Sequence, residues 1–183
     1  MSGGTTNASM ATTAAAAAAS SLPLHNVFVY GSLLADDVVN MLLKRLPPRS
    51  PAVLRGYHRF SIKGRVYPAI LPVESKSVTG RVLLGITDTE LNLLDIFEDG
   101  EYKRNTVEVS LNGDQEKLLV ETYVWGDEED PNLYGSWDFE EWERLEMKDF
   151  LLMTQEFIEE FEHPDSKSRV VTYEAYYNKE KEG

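Results

Sequence analysis

The chain has 183 residues and a mass of 20.7 kDa, with 42% apolar and 10% aromatic side chains, enough core for one domain and against wholesale disorder. It holds no cysteine, so disulfide frameworks, thiolate metal sites and a cysteine nucleophile are excluded. A net charge of −13 and a pI near 4.6 argue against a sequence-independent grip on nucleic acid or anionic membrane, which needs basic surface. No apolar run approaches the roughly 18 residues of a membrane helix.

Residues 1–24 carry no charged side chain, and 14–19 is an unbroken alanine run among Gly, Ser and Thr. Alanine favours helix, but nothing here forms an amphipathic face, so 1–24 is expected to be a disordered or transiently helical tail. A targeting segment is the alternative reading. The first basic residue, however, is Lys44, whereas leaders and transit peptides carry theirs early.

Val27-Phe28-Val29-Tyr30 reads as a buried strand, broken by Gly31-Ser32-Leu33-Leu34. Val38, Val39, Leu42, Leu43 and Leu46 then recur at helical spacing over 36–46, and Pro47-Pro48 stops the helix. Strands are expected over 53–62, 65–70 and 78–86, the first two joined by a Lys63-Gly64 turn, with Pro68 confined to an edge or bulge. Thr87-Asp88-Thr89-Glu90 fits a capping box and opens a short helix with Leu91, Leu94 and Phe97 inward, ending near Glu98-Asp99-Gly100. Strands over 102–111 and 117–125 flank Asn112-Gly113, a hairpin signal.

After a loop over 127–137, Asp138 and Glu141 start a long helix. Its apolar stripe runs through Phe139, Trp142, Leu145, Phe150, Met153, Phe157 and Phe161, and Pro164 ends it. That stripe suits a core or a dimer partner equally, so the oligomeric state stays open. Residues 127–162 hold 14 acidic and 2 basic side chains, nearly all of the net charge. Residues 178–183 are expected to be a frayed tail, leaving 25–177 as the folded domain. The element order does not alternate as a doubly wound sheet would. It indicates an α+β fold, a curled mostly β core with helices around it.

Two places could carry chemistry. The loop containing Tyr30, Gly31, Ser32 and Leu33 turns a strand into a helix, and successive backbone N–H groups at a helix start make an anion site. The plainer reading is a tight turn that requires glycine. Asp36 and Asp37 at the same helix end could satisfy the dipole themselves. Ser32 as a nucleophile falls short of G-x-S-x-G, and His25, His58 and His163 offer no triad context. The second place is Glu98, at a helix end beside Leu94 and Phe97. Partial desolvation there would raise its pKa toward the range of a general base, although an exposed helix-end acid fits the same pattern.

Other clusters are weaker. The acidic stretch 127–130 lacks a calcium-loop pattern, no two histidines lie close, and there is neither a Walker A nor a G-x-G-x-x-G motif. No metal or nucleotide cofactor is therefore expected. Tyr57, Arg59, Lys63, Arg65 and Tyr67 form a mixed basic and aromatic group, either a pocket lining or ordinary strand surface.

The run Val27-Phe28-Val29-Tyr30-Gly31-Ser32-Leu33 is similar to the Y-G-[ST]-L signature of the γ-glutamylcyclotransferase-like superfamily. Leu94-Asp95-Ile96-Phe97-Glu98-Asp99 followed by Tyr102-Lys103-Arg104 resembles its second signature. Gly56-Tyr57-His58-Arg59-Phe60 and Gly64-Arg65-Val66-Tyr67-Pro68-Ala69-Ile70 resemble the plant branch named for avirulence-induced genes. The resemblance runs from about residue 25 to 125. It implies a small mixed β-barrel with flanking helices and a cofactor-free, cytoplasmic enzyme acting on a small γ-glutamyl substrate. Tyr30, Gly31, Ser32, Leu33, Leu34 and Ala35 would cradle the substrate's α-carboxylate. Glu98 would take a proton from the α-amine as it attacks its own γ-carbonyl, releasing 5-oxoproline and an amine or amino acid. Two rival readings stand beside it: a module that binds such a ligand without turnover, and an interaction protein working through its acidic helix.

Overall fold

The computed structural model describes residues 23–98, 100–162 and 169–182. Most of the 1–24 tail, His163 and Pro164 lie outside them. Strand β1 (His25–Val29) is the hub of the sheet. It runs antiparallel to β3 (Ala69–Ile86) and parallel to β5 (Glu116–Trp125), with Val27 opposite both Leu83 and Glu121. β5 pairs in turn with β4 (Tyr102–Leu111), β4 with β2 (Arg49–Ile62), and β2 with β3. The last pairing closes five strands into a mixed barrel with no free edge among them. A two-residue strand, β6 (Leu133–Tyr134), adds to the end of β2.

Adjacent residues of β1 and β3, Val27 with Phe28 and Val82 with Leu83, are almost fully buried, so these strands are covered on both faces. Leu54 and Val120 are buried too. The strands pack closely where β1 meets β3. A Cβ on Gly80 would stand 2.3 Å from the Val29 carbonyl oxygen, so only glycine fits.

Helix α1 (Asp36–Leu43) follows β1 through a 3₁₀ turn, Ser32–Leu34. It stops three residues short of the expected end because Lys44 turns left-handed, with φ 59°, which leaves Leu46 exposed. Helix α2 (Asp88–Glu98) opens on the expected capping box. The Thr87 Oγ1 accepts from the Glu90 N–H (3.1 Å), and the Thr87 N–H donates to the Glu90 carboxylate (3.0 Å).

Two expectations are corrected. Of the expected strand at 65–70 only Ala69 and Ile70 are strand, and they run on through 78–86 as one strand of 18 residues, β3, while 65–68 is irregular. The exposed middle of β3, Glu74 to Ser77, lacks a hydrophobic signal: between Pro72, opposite Tyr57, and Ser77, opposite Arg55, the strand carries extra residues that bulge from the ladder to β2. The long acidic helix is two helices, α3 (Phe139–Leu145) and α4 (Met147–Phe161), broken at Glu146. The break lets Trp142 and Phe150 meet, with ring centroids 5.5 Å apart, while Leu145 turns out to solvent. Helix α5 (Arg169–Glu182) takes in most of the segment 178–183. The stripe of α4 packs inside this chain: Phe150 and Phe157 meet Phe97 of α2 edge-on, at 6.3 and 5.2 Å. Among the described residues no helix is long and apolar enough to cross a membrane.

Candidate active site

One end of the barrel opens into a narrow cleft. Its rim is the loop after β1, and its walls are Tyr67, Tyr102, Tyr123, Phe97 and Phe150, with Glu98 and Arg169 facing in. Tyr30, Gly31, Ser32 and Leu33 all line it. Leu34 and Ala35 do not, because their N–H groups already donate to the Gly31 (2.9 Å) and Ser32 (3.1 Å) carbonyls inside the 3₁₀ turn.

The loop is held from both sides. The Tyr30 hydroxyl donates to the Tyr123 carbonyl (2.5 Å), and the Tyr30 carbonyl accepts from Arg59 (2.7 Å), whose guanidinium lies over Trp137. Gly31 sits against the Pro68 ring, where a Cβ would stand 2.9 Å from Cγ and Cδ. Asp36 does not cap the loop. Its carboxylate is drawn outward to Arg49 (2.7 Å) and Arg81 (3.2 Å), which removes its competition for an anion at the turn.

Glu98 closes α2 with its side chain only 14% exposed. Burial pushes its carboxyl up to about 7, with Arg169 pulling down and Glu101 pushing up more weakly. A carboxyl in that range gains and loses a proton at neutral pH.

Behind Glu98 lies a polar network the sequence reading did not identify. Arg169, from α5, is buried with its side chain 2% exposed. Its Nε donates to the Phe97 carbonyl (2.8 Å) and its Nη2 to Glu101 (2.8 Å), while Nη2 stands 4.0 Å from Glu98. Glu101 also accepts from the Tyr67 hydroxyl (2.5 Å) and Arg65 (3.1 Å). The Tyr102 hydroxyl donates to the Pro68 carbonyl (2.7 Å). Arg104 holds Asp95 (3.0 Å), which accepts from Tyr123 (2.7 Å). The Tyr102-Lys103-Arg104 signature therefore supplies one cleft wall and, through Asp95, steadies another.

The mixed cluster around Tyr57 divides. Tyr67 enters the cleft and Arg59 and Arg65 brace it, while Tyr57 lies on a separate surface beside Arg55 and Lys117. The two described histidines are engaged elsewhere, His25 with Asp88 and His58 with the Gly135 carbonyl. Among the described residues no group of three or more His, Asp and Glu side chains could hold a metal ion.

Residues 27–144, which include both the 30–33 loop and Glu98, match the family model described as gamma-glutamyl cyclotransferase, AIG2-like. The chain belongs to that family. It is 57% identical over 150 residues to AIG2-like protein D of Arabidopsis thaliana, covering 81% of this chain and 99% of that protein. A solution structure of an Arabidopsis thaliana protein, 45% identical, covers 77% of this chain and 95% of its own with a TM-score of 0.59. A solved structure titled gamma-glutamyl cyclotransferase covers 57% and 68% with a TM-score of 0.51. At 18% identity that likeness shows the fold, a mixed barrel with helices around it. Arg169 lies beyond the family match, on an element with no strong periodic signal of its own.

Proposed function

We propose that this family member is a γ-glutamylcyclotransferase that converts a γ-glutamyl conjugate to 5-oxoproline and a free amine or amino acid. The observation that supports it most is a buried carboxyl at about 7, Glu98, set across a narrow cleft from a backbone loop. The N–H groups of Gly31, Ser32 and Leu33 receive the substrate's α-carboxylate, as peptide groups at a helix start receive anions. This places the α-nitrogen beside Glu98. The substrate's α-ammonium, beside its own carboxylate, is a weaker acid than Glu98, and burial that raises Glu98 narrows the gap between them and eases the proton transfer. The freed amine attacks its own γ-carbonyl. A bond forms from the α-nitrogen to the γ-carbon and the bond to the leaving nitrogen breaks. Glu98 delivers its proton to that nitrogen, and the second proton the α-nitrogen sheds in becoming a lactam N–H follows it, so the amine leaves as an ammonium. No water or cofactor is consumed. Holding both reacting atoms in one molecule removes much of the entropic barrier, worth effective molarities of ~10⁵ to 10⁸ M in well-oriented cases.

The test is 5-oxoproline release across a panel of γ-glutamyl amino acids and γ-glutamylamines, wild type beside Glu98→Gln. Release by the wild type alone supports the reading. Thermal stabilisation by the same compounds without any 5-oxoproline replaces it with a binding module.

A further inference from the structure

We propose that Arg169 is a positioning residue for Glu98, which makes α5, outside the family match, part of the catalytic unit. The inference rests on the reading of Glu98 as the base. Two hydrogen bonds and two ring contacts fix the guanidinium. Nε bonds the carbonyl of Phe97, the residue before Glu98. Nη2 bonds Glu101. The Tyr67 and Phe97 rings lie 4.5 and 5.6 Å from Cζ, within cation–π range. Together they leave Nη2 4.0 Å from the Glu98 carboxylate. That is beyond hydrogen-bond reach but within the range where an opposite charge favours the ionised acid. A direct bond would occupy the oxygens that must accept the substrate's proton. No cation at all would leave Glu98 with burial and the like charge of Glu101, both of which favour the neutral acid. Arg169 supplies the charge without taking the site.

The remaining groups around Glu98 do not supply it. Tyr30 after β1, Tyr67 before β3, Tyr102 of β4 and Tyr123 of β5 have hydroxyls pushed up by burial and stay neutral. α4 contributes Phe150, which does not titrate. Asp95, one turn back on α2, is engaged by Arg104 and Tyr123. Glu101 carries a like charge and is shared with Arg65.

The test follows the titration of Glu98 itself, by ¹³C NMR of the full chain labelled at the glutamate carboxyl carbon, with Glu98→Gln identifying its resonance. It needs no turnover, so its failure is distinct from an absence of cyclotransferase activity. In Arg169→Met the midpoint moves up by about 1 pH unit or more, and in Arg169→Lys, which keeps the charge, by less than half as much. If turnover is present, the acid limb of kcat/KM moves with it, a loss of about fivefold at pH 7 for a shift of about 1 pH unit. A mere helix anchor gives the opposite sign, since a loosened α5 admits water and lets Glu98 fall toward its ordinary value in both variants. An unchanged or lowered midpoint in Arg169→Met overturns the proposal. Should that variant not fold, Arg169→Lys decides, and a fall there overturns it equally.

Discussion

Two carboxylates at separate places in the molecule are each faced by an arginine, with opposite results. At the tip of the β4–β5 hairpin, Asp114 is exposed. Arg55 bonds it directly at 2.6 Å and Lys117 stands 3.6 Å away, so its carboxyl falls to about 2. At the cleft, Glu98 is buried among aromatic rings with Arg169 at 4.0 Å, and its carboxyl rises to about 7. Direct pairing in water makes a firmly ionised acid with no proton to exchange. Burial with a cation held at arm's length makes an acid that exchanges protons at neutral pH. The best-formed ion pair is therefore not where the chemistry should be sought.

The contrast can be broken most severely at Glu98. Glu98→Gln keeps the shape and removes the proton acceptor, and 5-oxoproline release should fall by about 10²-fold or more, with the circular dichroism spectrum unchanged. The next largest effect removes the aromatic backing of the cleft. Phe157 is fully buried against Phe97, and Phe157→Ala should cost about 3–5 kcal/mol in urea unfolding.

A third prediction sharpens the difference by pH. The pKa of Glu98 is higher folded than unfolded, about 7 against an ordinary 4.5. The folded state thus binds the extra proton, and this contribution is full below pH 4.5 and lost as pH rises through 7. Glu98→Gln, which has no charge to bury, should match the wild type near pH 4.5. Above pH 7 it should exceed it by up to about 3 kcal/mol, read by urea unfolding at pH 5 and pH 8. Activity and stability would then trade at one atom group.

The smallest effect belongs to the hairpin. Asp114 is depressed below its ordinary 3.8, so any stability it adds is present above that pH and lost as pH falls toward 2. In an exposed, screened pair that contribution is slight. Asp114→Asn should leave both the thermal midpoint at pH 7 and the turnover indistinguishable from wild type.

What the sequence disclosed depended on how local each signal was. The Thr87–Glu90 box, the Asn112-Gly113 hairpin and the glycine turn after β1 are written within a few residues, and each stands in the structure. Helix α2 buries Leu91, Leu94 and Phe97, the residues its spacing selects. The polar middle of β3 shows no such pattern, because Glu74 to Lys76 bulge from the ladder to β2 and stay exposed, so no burial selects their side chains. The break at Glu146 was hidden by an apolar spacing that continues across it. Of the cleft, Tyr30 to Leu33 and Glu98 lie in short motifs. Arg169 reaches the cleft from 71 residues beyond Glu98, on a helix of mixed polarity whose single buried arginine carries no mark in one sequence. Tyr123, held by Asp95, is likewise a tertiary contact of a residue that reads as ordinary strand.

The most direct test of the central claim is the pH dependence of 5-oxoproline release by the wild-type chain from the γ-glutamyl panel, with Glu98→Gln alongside. The account predicts release with an acid limb near pH 7 in the wild type and none of that limb in the variant. Release by Glu98→Gln at the wild-type rate, or a wild-type acid limb near pH 4.5, would contradict it.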